Sequence, residues 1–106
     1  MSDNPVREVA TLINANGVRV AEFEMQPNAD GAWHHHSKVS EHCYCLKGRI
    51  DVEFAGQPTV NLGAGDRCEI PAGIAHRLRN PENQVCGYLV IQGIGGYDFV
   101  ESKSGA

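Results

Sequence analysis

Four of the five histidines in this chain fall within nine positions, His34, His35, His36 and His42, and the fifth, His76, lies far along the sequence. A neutral imidazole is a good ligand for divalent ions, so the spacing matters. On an extended backbone side chains alternate, which puts His34 and His36 on one face and His35 on the other. Glu41 follows after Ser37-Lys38-Val39-Ser40, a segment polar enough to turn. His76 comes after Pro71-Ala72-Gly73, a turn that re-aims a strand. Two imidazoles on one strand, a nearby carboxylate and an imidazole from a distant strand make a competent divalent-metal site. A His-His-His run also occurs in tags and solvated loops. Tags sit at termini, whereas this run sits mid-chain behind Trp33.

The elements that would position these groups read as strands. Glycine and proline punctuate the chain at short intervals, and between them lie runs rich in β-branched and aromatic residues. Arg49 to Phe54 alternates strictly, with Ile50, Val52 and Phe54 on one face and charges on the other. Val18 to Met25 alternates loosely, and Val85 to Gln92 is nearly all apolar, as a strand covered on both faces would be. Glu8 to Ala15 fits either a strand or a short helical turn, and Ser102 to Ala106 reads as a frayed tail. Many short strands with regular turn signals predict an antiparallel sandwich or barrel.

Length and charge bound the function. The 106 residues leave room for one domain, 1–106, and the net charge of −4 argues against nucleic acid, which needs a basic face. Met1 to Pro5 lacks the basic and apolar stretches of a signal peptide, and no run is long enough to span a bilayer. The expectation is a cytoplasmic protein with no membrane contact, whose Cys43, Cys45, Cys68 and Cys86 are free thiols.

Two spaced patterns tie these residues together. His34-x-His36, four residues, Glu41, six residues and Gly48 match G-x5-H-x-H-x(3,4)-E-x6-G, except that Asn28 stands at the leading glycine. Gly65, Pro71, Gly73, His76 and Asn80 meet G-x5-P-x-G-x2-H-x3-N in full. From ordinary residue frequencies, a chance match to the second is on the order of one in several million per start. With both patterns in order over residues 28–80, the chain resembles the cupin family. The resemblance implies an all-β, antiparallel double-stranded β-helix (jelly-roll) barrel with a metal inside its mouth. It implies His34, His36, Glu41 and His76 as metal ligands, and Gly48, Gly65 and Gly73 would then occupy turns needing positive φ or close approach. Such N/O donors suit Fe, Mn, Ni, Cu or Zn, and ligand identity alone does not choose among them.

Several residues keep two readings. Glu41 is a ligand, or it orients a ligand or acts as a base. His35 and His42 are expected to point outward or to support the ligands. Cys43 and Cys45 share a strand face with Glu41 and are either small core fillers or thiolates within reach of the ion. Tyr88 has undetermined parity. Asn80 is expected to tie a turn together. Trp33 and the Ile94-to-Phe99 segment either line a ligand cleft or, for the terminal segment, cover a sheet edge or swap onto a second subunit, edge-covering being the expectation. A homodimer is expected from the resemblance and from that edge. Two function classes follow. One, which the resemblance to the cupin family implies, is a metal-dependent, dioxygenase-like oxidoreductase acting on a small oxygen-rich molecule, with isomerase or lyase chemistry as its relative. The other is a metal-binding or small-molecule-binding module without catalysis.

Overall fold

The computed structural model describes residues 4–102, and among them regular structure is all strand. The strands are β1 (Val6–Ala15), β2 (Val18–Met25), β3 (His34–His35), β4 (Ser40–Lys47), β5 (Arg49–Phe54), β6 (Val60–Gly63), β7 (Arg67–Ile70), β8 (His76–Arg79), β9 (Cys86–Gly93) and β10 (Val100–Glu101). They form two five-stranded sheets, ordered β1-β2-β9-β4-β7 and β10-β3-β8-β5-β6, with antiparallel pairs throughout. No helix among the described residues is long and apolar enough to cross a membrane.

The alternation of β5 works as read. Ile50 and Val52 are fully buried, Phe54 is half-buried, and Arg49, Asp51 and Glu53 face outward. On that outer face Arg77 Nε donates to Glu53 at 2.9 Å and Arg79 Nε to Asp30 at 2.5 Å. Such exposed pairs contribute about 0–1 kcal/mol each, whereas burying an isoleucine contributes about 1.5–3 kcal/mol, so the inner face decides stability. The β1 segment is a strand, not a helical turn. Register shifts between Glu8 and Ala10 and between Thr11 and Ile13 break its period of two. The apolar run of β9 is covered fully on one face only. Cys86, Tyr88 and Val90 are buried, while Leu89 and Ile91 are half-buried on the other side. Residues 103–106 of the expected tail lie outside the described residues; Ser102 is anchored by its N–H to Trp33 O at 2.8 Å.

Turns of positive φ explain the motif spacing. Gly48, between β4 and β5, has φ of 71°, and a Cβ there would lie 3.1 Å from the Cys86 Cβ, so conformation and space both demand glycine. Gly65 and Gly73 also have positive φ, at 89° and 83°. Asn28, where the first pattern calls for glycine, sits at φ 56°, and asparagine tolerates this left-handed region better than other side chains. The approach turn is therefore kept despite the departure. Asn28→Gly is expected to leave the unfolding midpoint nearly unchanged, whereas Asn28→Val should lower stability by about 1–2 kcal/mol in urea titration.

Candidate metal centre

The short strand β3 and the strand β8 lie side by side with His34 directly opposite His76. His36 follows β3 on the same face as His34, and its ring centroid lies 5.6 Å from that of His76 and 5.0 Å from that of His34. One ligand atom from each of His34, His36 and His76 lies within 4.8 Å of the other two. In all three rings Nδ1 faces a backbone carbonyl: His34 to Ala32 at 2.8 Å, His36 to Asp98 at 2.5 Å, His76 to Ile74 at 2.9 Å. A carbonyl only accepts, so Nδ1 carries the proton in each ring and Nε2 is left with a free lone pair. His36 Nε2 and His76 Nε2 are buried and make no hydrogen bond. A buried polar atom left unpaired costs about 1–3 kcal/mol, and two beside each other fit a cation that takes both lone pairs. The donor set thus suits a divalent ion of the first transition row.

Glu41 comes from the facing sheet and stands beside His36, outside the group of three imidazoles whose ligand atoms all lie within 4.8 Å of one another. Its Oε1 accepts from Gln92 Nε2 at 2.8 Å and lies 3.1 Å from His36 Nε2, off the line a hydrogen bond would need. Burial alone would raise the Glu41 pKa, but His36 and the Gln92 amide outweigh it and hold the carboxylate ionised. Burial works against a charged His36 too, yet Glu41 and the Asp98 carbonyl win and raise its pKa. His34 goes the other way, pushed by burial from 6.5 down to about 4, and burial also lowers His76.

These shifts set a pH dependence for the metal-free protein. Between pH 6.5 and about 4 the unfolded chain binds a proton at position 34 that the folded ring refuses, so stability falls on acidification. His76 adds to that loss, and the depressed Glu41 extends it as pH falls below 4.5. His36 opposes them, because its raised pKa stabilises the fold at low pH and that contribution is lost as pH rises. With two lowered histidines against one raised histidine in this range, the urea midpoint of chelator-stripped protein is expected to be lower at pH 5 than at pH 7.

The other residues singled out from the sequence divide clearly. His35 faces away, opposite Val100 in β10, and His42 Nδ1 lies 3.3 Å from Arg67 Nη1 across the β4–β7 pair. Cys43 and Cys45 are buried in the apolar core, and burial raises both thiol pKa values. All four cysteines are free. Asn80 is fully buried, and its Nδ2 donates to the carbonyls of Met25, Gln26 and Gln84. Trp33 lies under Arg77, 5.2 Å from ring centroid to Cζ. The C-terminal segment does both things considered for it. Through β10 it covers the edge of β3, and through Tyr97 and Phe99 it lines the cavity beside the histidines. Phe99 stacks on His34 with centroids 4.1 Å apart, and Asp98 is clamped by the Ser37 N–H and hydroxyl.

That cavity has a volume of about 400 Å³. Tyr88 points into it and stacks on Phe23 at 5.5 Å. Two of its polar residues lie outside the sequence patterns. Arg19 Nη1 donates to Gln92 Oε1 at 3.0 Å, and Gln92 holds Glu41 in turn. Their one sequence signal is a polar residue on an otherwise apolar strand face, legible only once strand parity is known.

Comparison with known proteins agrees with this geometry. The family described as the cupin domain matches residues 21–92, and the chain belongs to it. It is 32% identical over 82 residues to a mannose-1-phosphate guanylyltransferase of Sinorhizobium fredii, covering 77% of this chain but only 16% of that protein's length. An uncharacterised Klebsiella pneumoniae protein with a double-stranded β-helix domain superposes with a TM-score of 0.83 at 16% identity, over 98% of this chain and 90% of its own. Oxalate oxidase superposes with a TM-score of 0.80 at 20% identity, over 93% of this chain and 56% of its own. The fold is therefore the cupin double-stranded β-helix, bearing a three-histidine group that could hold a metal ion.

Proposed function

We propose that this chain is a metal-dependent enzyme of dioxygenase-like type acting on a small oxygen-rich molecule, with His34, His36, His76 and Glu41 as the metal ligands. The observation that carries the reading is the convergence of three imidazoles, two of them with buried and unpartnered Nε2 atoms. Glu41 belongs with them because its Oε1 stands 3.1 Å from His36 Nε2 without hydrogen-bond alignment. That separation is about what two ligands at right angles on bonds of roughly 2.1 Å would show. A divalent ion so held supplies Lewis acidity toward a chelating oxygen and, where redox-active, electron transfer.

The chain's own residues do the rest. The carbonyls of Ala32, Asp98 and Ile74 fix the three rings, and Gln92 fixes Glu41. Tyr97 and Phe99 cover the histidines and keep bulk water from that side. Polar groups pointing into the cavity, Arg19, Glu41 and Gln92, support catalysis over a dry binding module. The reading includes a cytoplasmic homodimer. Free thiols support the compartment, and exposed Leu12 and Ile13 on the edge strand β1 support the pairing.

The test is elemental analysis of untagged protein grown without metal supplement, then oxygen consumption against small diketones, phenols and sugar acids. About one bound transition metal per chain and oxygen uptake with one of these classes are expected. Protein without stoichiometric metal overturns the reading. Metal without oxygen uptake moves it to a binding module or to isomerase or lyase chemistry.

A further inference from the structure

We propose that Arg19 is the anion-binding residue of the cavity, and that the ligand is a small carboxylic acid whose ring-sized, largely apolar body turns its remaining oxygen toward the histidines. This deepens the reading above and rests on it only for which end of the ligand meets the histidines. Arg19 lies on the inward face of β2 with Ala21, Phe23 and Met25, and it is the one lysine or arginine among the described residues that line the cavity. Its side chain is only 19% exposed. The guanidinium carbon lies 4.9 Å from the Tyr97 ring and 5.7 Å from the Phe23 ring, so two aromatics hold the fork in place. Tyr97 also lies against His36, at 5.2 Å between ring centroids, which places cation and histidines on one side chain.

The fork is only partly used. Nη1 donates to Gln92 at 3.0 Å and Nη2 to Glu8 at 2.8 Å, leaving three of its five N–H donors without an acceptor among the described residues. A planar fork with spare donors matches a carboxylate. Glu8 already shows a carboxylate bound there, and at 42% exposure it is a weak competitor. The rest of the wall is largely apolar, with Met25, Leu78, Tyr88, Val90 and Phe99 beside Phe23. This favours one anionic group on an uncharged body over a phosphorylated sugar. In the metal-free protein Glu41 and Glu101, which also line the cavity, disfavour an anion at the histidine end and leave Arg19 as its partner.

The experiment titrates benzoate and its neutral isostere benzamide into the full chain, stripped of metal by chelator, by calorimetry. Wild type should bind benzoate about 10-fold or more tighter than benzamide. Arg19→Gln should weaken benzoate by about 10- to 100-fold and leave benzamide unchanged. Arg19→Lys should fall between them, because it keeps the charge and loses the fork. Glu8→Gln should tighten benzoate several-fold by removing the competing carboxylate. Equal affinity of wild type for the two probes overturns the proposal, as does unchanged benzoate binding by folded Arg19→Gln. If Arg19→Gln fails to fold, the wild-type comparison and Glu8→Gln decide. Metal content is measured separately: metal held without a benzoate preference refutes this inference alone, and a benzoate preference without metal refutes only the earlier reading.

Discussion

Replacing His76 by alanine is expected to weaken divalent-metal binding by about 10²–10³-fold and to leave both sheets folded. Four-ligand structural sites bind with about 10–16 kcal/mol, so one ligand is worth roughly 3 kcal/mol, and each 1.4 kcal/mol is tenfold. The fold should survive because β8 is held by backbone pairing with Phe54 on one side and His34 on the other, neither needing the imidazole. Two effects on the metal-free protein oppose each other. The substitution removes a fully buried ring and leaves space behind, but it also removes an Nε2 atom that had no partner. His76→Gln keeps more of the volume and separates packing from ligation. Titration of chelator-stripped protein, with circular dichroism alongside, reads both effects. Stoichiometric metal retained by His76→Ala would remove this histidine from the ligand set.

How much of this could be read beforehand depended on whether the signal was local. His34 and His36 are two apart along β3 and the residue that follows it, so their shared face follows from the pleat, and the second pattern tied His76 to them. Ile50 and Val52 announce an inner face because charges alternate with them. Tyr88 carried no such mark, since its neighbours are apolar on both sides. Its parity is fixed by pairing with Phe23 on β2 and Cys45 on β4, residues 65 and 43 positions away. Arg19 and Gln92 meet because they are register partners across β2 and β9, a relation no spacing along the chain encodes. The same holds for Tyr97 and Phe99, which reach the histidines only because β10 closes against β3. The sequence patterns therefore named the three histidines that cluster, while the residues that shape and charge the cavity came from strand pairing.

Asn80 closes the second pattern but is not among the residues lining the cavity, and its replacement by alanine should cost about 2–4 kcal/mol of stability with metal affinity kept. The side chain is fully buried at the end of β8. Nδ2 donates to Gln84 O at 2.6 Å, Gln26 O at 3.1 Å and Met25 O at 3.2 Å, and Oδ1 accepts from the Glu82 N–H at 3.0 Å. One amide thus fastens the β8–β9 turn to the end of β2. Alanine would leave several of these backbone groups short of a partner, each at about 1–3 kcal/mol if it stays buried. For a domain of about 100 residues, each kcal/mol lowers the melting midpoint by roughly 4–8 °C, so a fall of roughly 10–30 °C is expected. Asn80→Asp sharpens the argument. Three carbonyls facing the new carboxyl favour its protonated, donating form and raise its folded pKa above the unfolded value of about 3.9. Its deficit relative to wild type should then be smallest near pH 4 and grow as pH rises. A deficit independent of pH would mean that the three carbonyls do not depend on this side chain for their donor.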